Sequence, residues 1–212
     1  MEQKTKIAVL GGGGKTGKYL VTQLLSQGYH LKLLLRNPQN FHLKSPLLEI
    51  FKGDAIDPAA IHSLLINCQA VISTVGQRKD EPLVASQATL NVLRAMKECG
   101  IQRYILLAGI NVDTPFDKKG TETKHATEWM KNNFPLIHAD RQKAYSILSA
   151  SYVDWNLVRV PLIEFTDAGG KTIASVDDCP GSKISAADIA QFMIDQLTDI
   201  TYIGKAPFIA NG

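Results

Sequence analysis

The segment that most constrains the fold is the glycine-rich stretch GGGGKTG at residues 11–17, which directly follows the apolar run KIAVL. An apolar run, a glycine turn and then the helical pattern of TGKYLVTQLLSQG predict a strand, a tight turn and a helix. Two kinds of phosphate-binding loop share this outline. One is the P-loop of nucleotide hydrolases and kinases, and the other is the turn of a dinucleotide-binding fold.

The residue spacing argues against the P-loop. That loop needs a glycine, four further residues, then Gly-Lys and a Ser or Thr that binds Mg²⁺. If the GKT at residues 14–16 is used, Val9 stands where the first glycine belongs. If the count starts from Gly12, Tyr19 replaces the Ser or Thr. Each register therefore fails at one residue.

The dinucleotide pattern fits at every position. Gly12, Gly14 and Gly17 form GxGxxG, and Gly11 with the last two forms GxxGxxG. The first glycine permits the tight turn, the second lets the backbone approach a pyrophosphate, and the third lets the helix pack close to the strand. The amino terminus of the helix then attracts phosphate through its amides and its dipole. The turn is predicted to bind a dinucleotide.

The end of the second predicted strand bears on which dinucleotide is bound. An NAD site usually carries Asp or Glu about 20 residues beyond the glycines, where it binds the ribose 2′-hydroxyl. Here LLLRNP places Arg36 at that point, with no acid beside it in the sequence. A guanidinium suits a 2′-phosphate, and Lys15 could assist it. The sequence favours NADP(H) over NAD(H).

The rest of the chain repeats the alternation of short apolar runs and helical segments. Asp57 followed by Pro58 predicts a helix start, and Gly28 and Gly100 predict helix ends. Strands and helices in this order predict an α/β fold, a Rossmann-like doubly wound parallel sheet with a small C-terminal substrate-side region. Residues 1–212 are expected to form a single NAD(P)-binding domain.

Composition narrows the classes of partner. The net charge is +3, and lysines and arginines do not cluster with aromatic residues, so nucleic acid is not expected. Apolar runs stay well short of the roughly 20 residues of a membrane span. The three cysteines are widely spaced and lack metal-ligand spacing, so no metal is expected. We expect a cytoplasmic protein, a monomer or homodimer, whose partner is a small molecule.

The motifs in order resemble those of the atypical short-chain dehydrogenase/reductase group, which includes NmrA-like proteins and biliverdin IXβ/flavin reductases. The resemblance spans almost the whole chain, and VGQRKD at 75–80 is most similar to the biliverdin IXβ/flavin reductase branch. The segments that carry it are GGGGKTGKYLV, LLLRNP, FKGDAIDPAAI, AVISTVGQRKD, DWNLVRVPLI and KISAADIAQFMIDQL.

The resemblance implies roles for individual residues. The glycine turn would hold the pyrophosphate and Arg36 the 2′-phosphate, while GDA would flank the adenine and TVG the ribose near the nicotinamide. The cofactor-binding set is Gly11, Gly12, Gly14, Lys15, Thr16, Gly17, Arg36, Asp54, Ala55, Thr74, Val75, Gly76, Pro161 and Leu162. The substrate-binding set is Arg78, Asn111 and Ile163.

Departures from the family pattern bear on the reaction. None of the six tyrosines is followed four residues later by lysine, so the usual proton-donating pair is missing, and catalytic residues stay unassigned. Leu162 stands where some flavin reductases carry histidine. Flavins and quinones need little acid catalysis, and an apolar lid around Ile110, Leu162, Ile163 and Phe165 would suit them.

Three functions therefore remain open. The first is an NADPH-dependent reductase that transfers hydride to a flavin, quinone or similar planar acceptor, with the flavin as a substrate. The second is a non-catalytic NmrA-like redox sensor that binds NADP(H). The third, less favoured, is a nucleotide-sugar epimerase-like enzyme, because the missing tyrosine–lysine pair removes its proton relay.

Overall fold

The computed structural model describes residues 5–77, 81 and 83–212. In this part of the chain, eight strands form one sheet in the order β3-β2-β1-β4-β5-β6-β10-β8, and β7 pairs with β9. The strands are β1 (Lys6–Leu10), β2 (His30–Leu35), β3 (Leu48–Lys52), β4 (Ala70–Ser73), β5 (Arg103–Gly109), β6 (Asp154–Val160), β7 (Leu162–Glu164), β8 (Thr172–Ser175), β9 (Lys183–Ser185) and β10 (Phe208–Asn211).

Helices cover both faces of this sheet. The helices are α1 (Lys15–Ser26), α2 (Pro58–Leu65), α3 (Ala85–Cys99), α4 (Thr121–Asn133), α5 (Pro135–Ser149) and α6 (Ala186–Asp195). Apolar side chains of α1 and α6 fill the core on one face, and those of α2, α3 and α5 fill the core on the other. All the pairs from β3 to β10 are parallel, and only β8 runs antiparallel, against β10. The predicted doubly wound fold is confirmed.

The strand order places a crevice beside β1. This strand pairs with β2 on one side and β4 on the other, so the connections that leave β1 and β4 run to opposite sides of the sheet. In open α/β sheets, ligands bind at such a switch point, beyond the carboxyl ends of the strands. The glycine turn follows β1 at this point, so the topology and the motif indicate the same place.

The region after β5 differs from the sequence expectation. In the sequence, residues around 125–131 have a short helical pattern, and ADRQKAYSILSAS at residues 139–151 predicts a further helix. In the structure, α4 and α5 are both longer than these patterns predict. The break between them falls at Phe134, because Pro135 occupies the first turn of α5, where its missing N–H costs nothing. Strands β7, β8 and β9 were not predicted, since each has only three or four residues.

A buried ionic cluster holds the segment between β5 and α4. Arg159 on β6 is fully buried, and its Nη1 and Nη2 donate to the Asp117 carboxylate at 2.7 and 2.8 Å. The same guanidinium also donates to the carbonyl oxygens of Val112 and Ala206 and lies over the Phe208 ring. The cluster therefore ties this segment to the centre of the sheet.

Among the described residues, no helix combines the length and the apolar character that crossing a bilayer requires.

Candidate cofactor-binding site

Two glycines of the turn are required by close backbone approach. Gly11 has φ +78°, and a Cβ on it would lie 2.7 Å from the carbonyl carbon of Thr74. A Cβ on Gly17 would overlap the carbonyl oxygen of Gly11 and lie 2.6 Å from the Cα of Gly12. The turn thus packs against the chain that follows β4, and α1 packs directly on the turn.

The amino terminus of α1 is suited to a phosphate group. Its N-cap is Gly14, which has no side chain to accept from the first-turn amides, and this turn contains no acidic residue. The first N–H groups of a helix lack partners within the helix, and they carry the positive end of its dipole. Lys15 adds a full positive charge at the same place. These residues fit a pyrophosphate.

A cavity of about 640 Å³ opens at this switch point. It extends from the glycine turn along the ends of β1, β2 and β4 to the segment after β3. Ten of the predicted cofactor-binding residues line it, namely Gly11, Gly14, Lys15, Thr16, Gly17, Arg36, Ala55, Thr74, Val75 and Gly76. Its other walls include Asn37, Asn40, Phe41, Gly53, Gln77 and Phe165. The structure therefore brings most of the predicted set into one cavity.

Four predicted cofactor-binding residues lie outside the lining of this cavity. Gly12 is buried beneath the turn, where a Cβ would overlap Leu33, so its position serves packing. The Asp54 carboxylate accepts from the Ile56 amide. Pro161 and Leu162 follow β6, and Leu162 is 71% exposed.

The predicted substrate-binding residues are not brought together in the cavity. Arg78 lies outside the described residues. Ile163 is partly buried against the core that α1 and α6 cover. Asn111 is buried, and its Nδ2 lies 3.3 Å from the Nδ1 of His138 on α5. Of the predicted apolar lid, Phe165 lines the cavity, and the Lys15 Nζ lies 5.2 Å from its ring centroid.

Arg36 has an acidic partner that its neighbours in the sequence did not reveal. Its Nη1 donates to the two carboxylate oxygens of Glu81 at 2.7 and 2.8 Å. Glu81 is 45 residues away in the chain. The expectation that no acid stands beside Arg36 is therefore wrong for the folded chain. The pair is half-exposed at the cavity wall.

Several tyrosines are unsuited to proton donation. Burial raises the pKa of Tyr104 well above its usual range, although Ser73 and Thr89 hydrogen-bond to its hydroxyl. Burial also raises the pKa values of Tyr145 and Tyr152. A phenol with a raised pKa is a weaker acid near neutral pH. In the described part of the chain, no group of three or more His, Cys, Asp or Glu is arranged to hold a metal ion.

Comparison with known families matches residues 11–200 to the family described as NAD(P)H-binding. The chain belongs to this family. The match begins at the glycine turn and includes every residue that lines the cavity except Leu10. The residues that line the cavity therefore lie in the part of the chain that matches an NAD(P)H-binding family.

Two of the curated relatives are 28–31% identical to this chain and match about half of it. Cinnamoyl-CoA reductase 1 of Oryza sativa subsp. japonica is 28% identical over 114 residues, and cinnamoyl-CoA reductase 2 of Medicago truncatula is 31% identical over 116 residues. Each alignment covers 49% of this chain and 34% of the relative. The chain thus spans about a third of the length of the curated relatives it matches.

Solved structures share the fold along nearly the whole chain. A short-chain dehydrogenase/reductase from Veillonella parvula in complex with NADP has a TM-score of 0.82 at 13% identity, covering 98% of this chain and 94% of that one. ChuY, an anaerobillin reductase from Escherichia coli, has a TM-score of 0.76 at 18% identity, covering 98% of this chain and 97% of that one. At these identities the similarity establishes the fold alone.

Proposed function

We propose that the protein is an NADPH-dependent reductase that transfers hydride to a flavin, a quinone or a similar planar acceptor. The observation that carries this proposal is the cavity at the switch point, where Arg36 and Lys15 accompany the glycine turn. A dinucleotide has a pyrophosphate at its centre, and NADP has a further phosphate on one ribose. The cavity offers cationic groups at two separate places, and this supports a ligand that carries both a pyrophosphate and a further phosphate.

Each part of the cavity suits one part of the cofactor. The amides at the start of α1 would hold the pyrophosphate, and Arg36 would hold the 2′-phosphate. Gly53 and Ala55, beyond the end of β3, would flank the adenine; Asn91 fixes this segment, because its Nδ2 donates to the Ala55 carbonyl oxygen at 3.1 Å. When bound, NADPH supplies the hydride.

The class of acceptor is inferred from what hydride transfer requires of the protein. A flavin or quinone is an electron-poor planar ring, and water can supply the proton that accompanies its reduction. The protein must mainly position the ring against the nicotinamide and exclude competing reactions. None of the described residues that line the cavity is a tyrosine, which supports an acceptor of this kind over a carbonyl that needs a phenolic acid. The two cinnamoyl-CoA reductases among the curated relatives agree with a redox reaction.

The test is NADPH consumption by the purified protein with FMN, riboflavin or menadione as the acceptor and NADH as the comparison. We expect turnover with NADPH to exceed turnover with NADH. If the protein bound NADPH but did not oxidise it with any of the acceptors, this would contradict the reductase. It would favour the redox sensor, a function that needs no acid–base residues.

Replacement of Arg36 by glutamine is expected to raise the KM for NADPH by roughly 10- to 100-fold, because a charge-assisted hydrogen bond contributes about 1.5–3 kcal/mol. The KM for NADH should change little, since NADH lacks the 2′-phosphate. Steady-state kinetics with both cofactors measure the ratio of the KM for NADPH to the KM for NADH. The matched control is Arg94→Gln on the exposed face of α3, which should leave both values unchanged. If the KM rose equally for NADPH and NADH, Arg36 would not be the residue that selects NADPH.

Glu81→Gln is expected to strengthen NADPH binding roughly two- to fivefold, because the carboxylate competes with the 2′-phosphate for Arg36 and an exposed pair contributes up to about 1 kcal/mol. NADPH fluorescence titration at low and high salt measures the gain, which should shrink as salt screens the charges. Glu164→Gln, which alters a comparable exposed pair with Lys183, is the control. Weaker binding of NADPH in Glu81→Gln would contradict competition.

A further inference from the structure

Phe165 joins the cofactor cavity from the C-terminal part of the chain. The other described residues that line this cavity belong to residues 10–77, whereas Phe165 directly follows β7. The chain reaches β7 from the end of β6, and β6 is separated from β1 by β4 and β5. Arg36, in contrast, follows β2 on the other side of β1. Phe165 therefore approaches the cavity from the side away from the proposed 2′-phosphate site.

The backbone holds Phe165 in a tight three-residue turn at the end of β7. The Thr166 amide donates to the Glu164 carbonyl oxygen at 3.0 Å, with Phe165 between them. Strand β7 pairs with β9, and the Lys183 Nζ donates to the Glu164 carboxylate at 3.1 Å. Ile163 packs against the core that α1 and α6 cover. A strand and a turn therefore set the position of Phe165 at the cavity wall.

The ring of Phe165 lies beside the cation of the glycine turn. The Lys15 Nζ is 5.2 Å from the ring centroid, within the range of a cation–π interaction. Lys15 is also the first residue of α1, whose first amides suit a pyrophosphate. A phosphate group bound at the start of α1 would therefore lie next to both the ammonium and the ring.

An aromatic ring beside a lysine–phosphate pair has two physical effects. It restricts the side chain of Lys15, so less conformational entropy is lost when the phosphate binds. It also takes the place of water beside the pair, and an ion pair shielded from water is stronger and less sensitive to salt. The ring has no charge and no hydrogen-bonding group, so both effects act through Lys15.

We infer that Phe165 is a positioning residue for the nicotinamide half of the cofactor, because its ring holds Lys15 at the pyrophosphate and covers that group against water. The inference rests on the proposed function for the orientation of the dinucleotide, with its adenine end at Arg36. It assigns Phe165 to the cofactor, whereas the sequence predicted a role in a lid over the acceptor. Loss of the ring weakens cofactor binding even when no acceptor is present.

The test measures the binding of NADP⁺ and of adenosine 2′,5′-bisphosphate by isothermal titration calorimetry. The bisphosphate carries the adenosine and the 2′-phosphate but ends at the first phosphate of the pyrophosphate, so it lacks the nicotinamide half. Phe165→Ala is expected to raise the Kd for NADP⁺ about tenfold, in the range of a shielded cation–π pair, and the Kd for the bisphosphate by no more than about twofold. The affinity of this variant for NADP⁺ should also fall more steeply with salt.

Further variants separate the ring from a general effect on the fold. Phe165→Tyr keeps the ring and should keep the affinity for NADP⁺, while Phe165→Leu keeps an apolar cover and should lose part of it. In a Lys15→Gln background, Phe165→Ala should change the Kd little, because the ring acts through the ammonium. The control is Phe116→Ala, which removes a ring that is 74% exposed and does not line the cavity, and which should leave both Kd values unchanged.

Three results would overturn the inference. They are an unchanged Kd for NADP⁺ in Phe165→Ala, equal rises in Kd for both ligands, and an equal effect of Phe165→Ala with and without Lys15. Because these measurements need no turnover, they separate this inference from the reductase. If no acceptor oxidised NADPH, the reductase would fail, while a selective loss of NADP⁺ affinity in Phe165→Ala would still support the role of the ring.

Discussion

Replacement of Asp117 by alanine is expected to lower the free energy of unfolding by about 3–5 kcal/mol, because it leaves the charge of Arg159 buried without its partner. Arg159 is fully buried, and among the described residues its charged acceptors are the two carboxylate oxygens of Asp117, at 2.7 and 2.8 Å. Asp117 also accepts from the amide and the hydroxyl of Thr114. Urea unfolding followed by circular dichroism measures the change.

The control for this prediction is an ion pair on the surface. Arg94→Ala breaks the pair with Glu98, four residues further along α3, and should cost no more than about 0.5 kcal/mol because water solvates both groups. If Asp117→Ala cost as little as Arg94→Ala, the buried pair would not stabilise the sheet. The difference between the variants therefore measures the effect of burial rather than of charge.

Features that depend on residues close in the chain were predictable. Asp57 accepts from the Ala59 amide at 2.9 Å and begins α2 as expected. Gly28 ends α1 with φ +82°; its amide donates to the Leu25 carbonyl, and the Tyr29 amide donates to the Leu24 carbonyl. Such signals act within one helical turn, so tertiary contacts rarely alter them.

Features that depend on distant residues were not predictable from the sequence. The short strands β7 and β9 exist because each supplies the other's backbone partners, and three residues carry too little periodicity to reveal this. The second helix after β5 was expected to begin at residue 139, although Pro135 is itself a helix-start signal that could have indicated the longer α5.

The candidate site shows the same division. The glycine turn and Arg36 follow directly from the strand–turn–helix pattern, and the cavity forms around them. Glu81 and Arg36 form their ion pair across 45 residues of the chain, and Glu81 belongs to no local motif. A charged group that modifies a site from outside its motif is revealed only by the fold.

Replacement of Gly17 by alanine is expected to weaken NADPH binding by about 100-fold or more, because small displacements of binding groups have effects of this size. The new Cβ would overlap the Gly11 carbonyl oxygen, so α1 must move away from the turn and carry its first amides with it. Alanine is otherwise the better helix former by about 1 kcal/mol, so any loss must come from this contact. Fluorescence titration with NADPH measures binding, and urea unfolding measures stability.

Gly28→Ala at the other end of α1 separates loss of binding from loss of stability. Gly28 has a positive φ, and no atom lies within 4 Å of the place a Cβ would take, so alanine there should cost about 1–2 kcal/mol of stability through backbone strain alone. NADPH affinity should not change, since the glycine turn stays in place. If both variants lost affinity equally, the stability of α1 would control binding. A selective loss in Gly17→Ala would show that the cofactor depends on how closely α1 approaches the turn.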